Sequence, residues 1–431
     1  MANTIELKQQ IAQGEYDAAF AKLYGADAVQ EQRKRYTDLI DEFEKKYGTN
    51  RTVRLYSAPG RTEIGGNHTD HNNGVVLAGS VNLDMVAVVS PNEENVIRVK
   101  SLGFDKIDDV DVTNLVPQPR EAEHSASLIR GVAKGIVDAG GKVGGFDCYT
   151  TSNVLRGSGL SSSAAFEVCI GAILRGEYNN NDMEKFNQVK IAQIGQYAEN
   201  VFFGKPCGLM DQMASSVGGL VYMDFADPVH PAAERIDCDL GASGYGLFIV
   251  DSGADHADLT ADYAAIPAEL EQVCRVFGAE VLRQVDETEF YRRLPAVRAA
   301  AGDRAVLRAI HVFDENRRAA AEAEALRKGD FPAFLALVNA SGASSWQYLQ
   351  NVTAGDPRQQ ALAVTLAMCR RALGGQGAVR VHGGGFAGTA LAFVPDDRRE
   401  MFLRTVEQTL GTDKCRLLSV RNPLAHSGRY C

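Results

Sequence analysis

The stretch NVLRGSGLSSSAAFEV, residues 153–168, decides how the fold of this chain is interpreted, because it joins a predicted strand to a predicted helix. The residues before it, FDCYTTS, favour a strand, and SSSAAFEVCIGAIL has the apolar spacing of a helix. The first turn of a helix leaves backbone N–H groups without partners and carries a partial positive charge, so it attracts anions. Gly157 and Gly159 keep side chains away from this place.

Three serines follow these glycines, and more than one role is open to them. Ser161, Ser162 and Ser163 can cap the helix, donate hydrogen bonds to phosphate oxygens or, in one case, ligate a hard cation such as Mg²⁺. A Walker A loop is excluded because it ends in Gly-Lys-Ser/Thr, and there is no lysine here. A dinucleotide fingerprint is disfavoured because it needs a third glycine at the position of Ser162.

A second predicted helix start carries a carboxylate. The segment CGLMDQMASSVG, residues 207–218, places Asp211 in the first turn, where the helix dipole favours the ionised form. Such a group could orient or deprotonate a hydroxyl, or it could be a simple N-terminal helix acid. Glu199, in the helical segment QYAENVFFG, could ligate Mg²⁺ or be merely solvated.

Two further glycine-bearing stretches carry polar side chains. SAPGRTEIGGNHTDHNNG, residues 57–74, combines an arginine, two carboxylates and two histidines in a pliable span. HGGGFAG, residues 382–388, has four glycines in seven positions between predicted strands. That density indicates the close approach of another backbone or of a ligand, although a plain hairpin turn is an alternative.

The distribution of patterns predicts mixed α+β structure in two domains. Residues 1–50 are helical in pattern, residues 51–240 mix strands and helices, and residues 241–431 contain a strong strand, a long alanine-rich helical stretch and a final strand region. The segment FADPVHPAAERIDCDLGASG, residues 225–244, is expected to be a connector. The helices of the second half are expected to pack the core rather than to form a site.

Composition excludes several classes of protein. The formal net charge of −10 gives no basic field for nucleic acid, and EQRKRY, residues 31–36, is expected to be a solvated helix face. The eight cysteines form no CxxC pair, which favours reduced thiols in a cytosol. No window approaches eighteen uninterrupted apolar residues, so we expect a cytoplasmic protein without membrane partners. We expect a monomer, with an oligomer as the alternative.

Taken in this order and at these separations, the four motifs resemble those of the GHMP kinases. APGRTEIGGNHTDHNNG is similar to the signature of the galactokinase branch, and GSGLSSSAA is similar to the phosphate loop of the whole superfamily. The resemblance runs from about residue 51 to about residue 395. It implies a first domain resembling domain 2 of ribosomal protein S5, a ferredoxin-like second domain, and a cleft site between them. It also implies ATP- and Mg²⁺-dependent phosphorylation of galactose at the anomeric hydroxyl, the first committed step of the Leloir pathway.

Roles for individual residues follow from the same resemblance. It implies that Asp211 is the catalytic base or hydroxyl-orienting group and that Arg61 stabilises the transferring phosphoryl group. It implies that Ser163 and Glu199 ligate Mg²⁺. The nucleotide phosphates would lie on Gly157, Ser158, Gly159, Leu160, Ser161, Ser162 and Ser163, and the sugar on Asn67, His68, Thr69, Asp70 and Tyr263.

The chain departs from the usual galactokinase pattern in residues 57–74, which the resemblance assigns to the sugar and which we call the sugar loop. Asn67 stands where these kinases usually have a glutamate, and His71 stands where they usually have a tyrosine. The loss of a negative charge at Asn67 would repel a 6-carboxylate sugar such as galacturonate less, so a kinase of that sugar, or of an amino or deoxy relative, is an alternative. A sugar and ATP sensor without catalysis is a third hypothesis, which the intact Arg61, Ser163 and Asp211 disfavour.

Overall fold

The computed structural model describes residues 2–154, 159–254, 259–353 and 355–423. Gly157 and Ser158 of the predicted phosphate loop lie outside the described residues. None of the helices in the described ranges combines the length and the apolar character that a membrane span requires.

The first fifty residues form a short edge strand and three helices. They are β1 (Ala2–Asn3), α1 (Thr4–Ala12), α2 (Asp17–Tyr24) and α3 (Val29–Tyr47). The helical spacing in α3 buries Tyr36, Leu39, Ile40 and Phe43 on one face, as the pattern predicts. This face forms a core with Val86 and neighbouring apolar residues of the central sheet, so the segment covers one side of that sheet.

The central sheet has eight strands among the described residues. In addition to β1 it contains β2 (Thr52–Gly65), β3 (Val75–Pro91), β4 (Val96–Ser101), β5 (Ile107–Asp111), β6 (Phe146–Ser152), β7 (Leu220–Asp224) and β8 (Ala232–Ile236). The strand order is β1-β2-β3-β6-β4-β5, and β7 pairs with both β3 and β8. β4 and β6 are parallel, and the other neighbours are antiparallel.

Four helices and a π-helical turn pack against this sheet. They are α4 (Ser125–Asp138), α5 (Ser162–Tyr178), α6 (Gln188–Tyr197) with its π-helical continuation Ala198–Phe203, and α7 (Met210–Val217). The predicted connector over residues 225–244 is wrong in part, because it contains β8, whose backbone pairs with β7. Its polar composition reflects an edge strand, which needs few apolar side chains.

The second half is built on a separate antiparallel sheet with the order β10-β11-β9-β12. The strands are β9 (Tyr245–Asp251), β10 (Ala378–His382), β11 (Thr389–Pro395) and β12 (Cys415–Leu418). The helices are α8 (Thr260–Phe277), α9 (Glu287–Arg292), α10 (Leu294–Ala301), α11 (Asp303–Arg327), α12 (Phe331–Ser344) with the π-helical turn Ser345–Leu349, α13 (Ala361–Leu373) and α14 (Arg399–Leu410). The predicted α+β class is therefore confirmed.

The chain returns from the second sheet to the first after β12. Val420 pairs with Val81, and Asn82 N donates to Ser419 O at 3.0 Å. Arg421 then reaches Asp84, with 2.7 Å between Nη1 and Oδ2. This return connects the second half of the chain to β3, the strand that pairs with the Arg61 strand β2.

Candidate active site

The predicted phosphate loop joins β6 to α5, as the sequence pattern indicates. Ser161 directly precedes α5 in a left-handed conformation, with φ of 55°, and its own side chain makes no capping hydrogen bond to the helix. The N–H groups in the first turn of a helix have no carbonyl partner within the helix, and together with the positive end of the helix dipole they suit an anion. Leu160 is buried, and its carbonyl accepts from Arg61 N at 3.0 Å, so the loop is fixed to β2.

Arg61 and Asp211 meet beside this helix start. Arg61 Nε donates to Asp211 Oδ1 at 2.7 Å, and its Nη1 donates to Gly159 O. Ser161 Oγ donates to Asp211 Oδ2 at 2.6 Å. Burial raises the pKa of the Asp211 carboxyl, but the charge and hydrogen bonds of Arg61 and Ser161 outweigh burial and lower this pKa below its ordinary value. Asp211 is thus held as an anion, with 29% of its side chain exposed.

Oxygen donors suited to a hard cation lie on the other side of the loop. Ser163 Oγ is 3.3 Å from Glu199 Oε1, and Glu199 is buried, which excludes the merely solvated alternative. Gln212 Nε2 donates to both Glu199 and Glu167 at 2.9 Å. Lys205 Nζ lies 3.7 Å from Glu199 Oε1 and is otherwise exposed. Within the described ranges, His, Cys, Asp and Glu form no group of three that could hold a metal ion by itself.

Two residues expected to contact sugar are instead committed to the protein. The Asn67 amide donates to Glu63 Oε1 and Gly383 O at 2.8 Å, and it accepts from Ser345 Oγ and Asn351 Nδ2 at 3.1 and 2.8 Å. These four bonds use the full capacity of the amide, and Asn67 is completely buried. The structure does not support Asn67 as a sugar contact.

Thr69 is likewise turned inward. Its hydroxyl lies 2.9 Å from Gly66 O and 2.7 Å from Val75 O, and the residue is completely buried. Its side chain therefore closes the loop and is not directed to a ligand.

Asp70 is the sugar-loop residue that is best placed to bind a ligand. Its carboxylate lies against Gly208, where an added Cβ would be only 1.8 Å from Oδ2, so only glycine allows this approach. Gly208 comes three residues before Asp211, and the two carboxylates thus border the same segment. Within the described part of the chain, the Asp70 carboxylate accepts no hydrogen bond, and His71 Nε2 lies 4.0 Å from Oδ1. It can accept two hydroxyl groups.

The third glycine-rich motif is the turn between β10 and β11, and it brings the other segments together. His68 Nε2 lies 3.0 Å from Gly384 O, and the Tyr263 hydroxyl donates to Gly385 O at 2.7 Å. His382 lies under Gly159, since a Cβ on that glycine would be 2.8 Å from His382 Nδ1. Residues 382–385 therefore contact the sugar loop, Gly159 and Tyr263.

The sequence analysis did not predict three residues that lie at the site, namely Glu167, Lys205 and Glu315. Glu167 lies one turn after Ser163, and burial together with the charge of Glu199 raises the pKa of its carboxyl well above the ordinary value. Lys205, two residues before the CGLMDQ segment, could have been noticed only as a cation close to a predicted acid. Glu315 on α11 contacts the sugar loop from a helix that we expected to serve packing alone.

The chain is similar to known kinases in sequence and in fold. A family model described as the galactokinase galactose-binding signature matches residues 41–91, and one described as the GHMP kinases N-terminal domain matches residues 127–219. The solved structure of a Lactococcus lactis galactokinase complexed with galactose superposes with a TM-score of 0.76 at 23% identity, covering 90% of this chain and 98% of that one. The family models and the fold thus define a GHMP kinase.

The curated relatives are more specific. A galactokinase of Actinobacillus pleuropneumoniae serotype 5b is 31% identical over 369 residues, which cover 85% of this chain and 91% of that protein. A galactokinase of Glaesserella parasuis is 29% identical, with 85% and 91% covered. The chain belongs to the galactokinase family. The predicted resemblance and the predicted GHMP kinase fold are confirmed, and a nucleoside triphosphate is the phosphoryl donor expected of such a kinase.

Proposed function

We propose that this chain transfers the γ-phosphoryl group of ATP to the anomeric hydroxyl of galactose and forms α-D-galactose 1-phosphate. The observation that supports this most directly is the Arg61–Asp211 pair beside the first turn of α5, with Asp70 next to it across Gly208. An anion site, a cation and two carboxylates are thereby brought to one place. Phosphoryl transfer needs positioning and charge neutralisation, and these groups supply both.

In this proposal Asp211 holds the sugar hydroxyl in line with the γ-phosphorus. The hydroxyl oxygen forms the new P–O bond, the bond from phosphorus to the bridging oxygen of ADP breaks, and the hydroxyl proton passes to Asp211. Because the pKa of Asp211 is lowered, this carboxylate is a weak base, so we infer that it orients first and takes the proton late. Arg61 offsets the charge on the transferring group.

Mg²⁺ is part of the proposal, and the residues present fit it. Ser163 Oγ and Glu199 Oε1 are 3.3 Å apart, close to the roughly 3 Å between adjacent oxygens around this ion. The buried Glu167 Oε1 has no hydrogen-bond partner among the described residues, so a further oxygen lies close to this pair. Ser163 and Glu199 would hold the ion, which neutralises nucleotide phosphate charge when bound.

We also propose a boundary near residue 240, with units over 51–240 and 241–431 and the helical segment 1–50 ahead of them. Its support is the change of sheet, since β8 ends at Ile236 and β9 begins at Tyr245. The seven cysteines in the described ranges are free thiols, which fits the reducing cytosol that we propose as the location.

The structure weakens the argument for a 6-carboxylate sugar. That argument needs the Asn67 amide to face the substrate, whereas all four of its hydrogen-bonding positions are used within the protein. A sensor without catalysis gains no support either, because Arg61 and Asp211 are paired at the loop.

A coupled assay of ADP release tests the proposal on galactose, galacturonate, galactosamine, 2-deoxygalactose and glucose. We expect kcat/KM for galactose to exceed that for galacturonate by at least about tenfold. Proton and phosphorus NMR of the product should show an α-1-phosphate. Release of ADP with galacturonate and none with galactose would show that galactose is not the substrate. Binding of both ATP and galactose without ADP release would favour the sensor.

A further inference from the structure

The sugar loop contains a turn that needs external support. Gly66 and His68, on either side of Asn67, both have left-handed backbone conformations, with φ of 88° and 61°. Such a conformation is unfavourable for a non-glycine residue and persists where surrounding structure enforces it. Asp70 follows His68 by two residues, so the path of this turn determines where the Asp70 carboxylate lies.

Two residues of α11 hold the turn by its backbone. Glu315 Oε1 accepts from Gly66 N at 3.1 Å and from Asn67 N at 3.4 Å, and His311 Nε2 lies 3.0 Å from Asn67 O. His311 and Glu315 are four residues apart, so they project from the same helix face, and both are completely buried. Side chains of α11 thus contact two backbone N–H groups of the turn and one of its carbonyl oxygens.

Both side chains also make hydrogen bonds or close polar contacts with other residues of the protein. Ser341 Oγ donates to Glu315 Oε1 at 2.5 Å, and Arg318 donates to Glu315 Oε2. His311 Nδ1 lies 2.9 Å from Ser344 Oγ. Burial raises the pKa of Glu315, but its interaction with His311, the charges of Arg318 and Arg380 and the Ser341 hydrogen bond outweigh burial and lower this pKa to about 2. Glu315 therefore stays an acceptor for the loop N–H groups.

We infer that Glu315 and His311 are positioning residues for the sugar side of the reaction: they hold the Gly66–His68 turn so that Asp70 lies against Gly208. This inference rests on the proposed sugar kinase function. Neither residue hydrogen-bonds to the described part of the phosphate loop, so loss of either one should weaken sugar binding and leave nucleotide binding in place. Misplacement of a binding group by about 1 Å is enough for a large kinetic effect.

The test compares Glu315→Gln, Glu315→Ala and His311→Leu with Arg317→Met. Arg317 is the control because it lies on the same helix two residues after Glu315, is exposed, and pairs with Glu287 and Asp314 rather than with the sugar loop. In the Glu315 and His311 variants we expect KM for the sugar to rise about tenfold or more, with Glu315→Gln the mildest, while KM for ATP changes less than about twofold. The control should match the wild type in both.

A general structural role predicts another result. A partly unfolded population would lower kcat and leave both KM values unchanged, and that result, or an equal rise in both KM values, would overturn the inference.

Hydrogen exchange gives a readout that does not depend on activity. We expect faster exchange of peptides covering residues 62–72 in the Glu315 and His311 variants, with helix α5 unchanged. Should the wild type phosphorylate no sugar, the proposed function fails, and this exchange measurement alone then decides: unchanged exchange overturns the positioning role. Glu315→Gln and His311→Leu keep the test available if Glu315→Ala does not fold.

Discussion

Arg61 and Asp211 lie 150 positions apart in the chain, yet Arg61 Nε donates to Asp211 Oδ1 at 2.7 Å. Arg61 comes from β2, and Asp211 comes from the first turn of α7. Each lowers the cost of burying the other's charge, because a buried ion needs a partner in hydrogen-bond contact. The site therefore has its cation and its carboxylate in place before substrate arrives, which reduces the reorganisation that the reaction requires.

Removal of the Asp211 carboxylate should abolish turnover. For Asp211→Ala we expect kcat to fall by about 10³-fold or more, because both orientation and proton acceptance are lost. Binding of a fluorescent ATP analogue should change less than about threefold, since the backbone N–H groups in the first turn of α5 remain, although Ser161 loses its hydrogen bond to Asp211. Ser216→Ala is the control, because its hydroxyl lies on the same helix and bonds to Gln188 O. Retention of a tenth of the wild-type rate would remove Asp211 from the chemistry.

Substitution of Glu199 should act on the metal requirement. In Glu199→Gln we expect the Mg²⁺ concentration for half-maximal rate to rise about tenfold or more, because a charged oxygen ligand becomes a neutral amide. The neighbouring Asn200→Ala should leave this concentration unchanged, since Asn200 bonds to the backbone of Cys207. The measurement is a Mg²⁺ titration at saturating ATP. Equal metal dependence in both variants would place the ion elsewhere.

Glu322 should make stability depend on pH. Burial, assisted by the charge of Glu315, raises the pKa of Glu322 well above its ordinary 4.5. A carboxyl with a raised folded-state pKa contributes stability below the unfolded pKa, and this contribution is lost as pH rises toward the folded value. Glutamine is neutral throughout, so Glu322→Gln should equal the wild type near pH 4.5 and gain up to about 3 kcal/mol by pH 7.

Denaturant unfolding at pH 5, 6 and 7 measures this difference. The gain of Glu322→Gln over the wild type should grow at each step. A constant difference across the three values would mean that Glu322 is ionised in the folded protein.

Arg421 should matter for stability more than its position near the end of the chain suggests. It pairs with the fully buried Asp84 together with Arg35, and Tyr24 donates to the same carboxylate at 2.5 Å. Arg421→Met leaves Asp84 with one cation, so we expect a loss of about 3 kcal/mol in the free energy of unfolding. Arg416→Met, at an exposed site in β12, should cost less than about 0.5 kcal/mol. Similar unfolding midpoints for the two variants would contradict this account.

The local patterns of the sequence were sufficient to predict where α5 and α7 begin and that the fold mixes helices and strands. Both helices begin within the predicted segments, with Asp211 in the first turn of α7. The prediction of a solvated face for EQRKRY was wrong at Arg35, whose Nη1 lies 2.7 Å from Asp84 Oδ1. Charge runs are usually solvated, and the partner that changes this is 49 positions away.

The sugar loop also shows that local pattern predicts the type of segment whereas packing decides the orientation of its side chains. Its residue types predicted a binding loop, but whether each side chain is buried or exposed depends on the residues that pack against it. Asn67 faces inward because Asn351 and Ser345 complete its hydrogen bonds, whereas Asp70 is left open beside Gly208. A single sequence contains no record of such distant neighbours.

By itself the sequence determined the order of the elements, the position of the α5 start where we predict anion binding, and the set of chemical groups available to the site. Those properties depend on periodicity, glycine content and helix dipoles, which are local. Only the tertiary structure decided that Arg61 pairs with Asp211, that Asn67 is buried and that α11 holds the sugar loop. Hydrogen bonds across such separations form only when the packed cores of both sheets bring the segments together, and the geometry of that packing is not a local property of the chain.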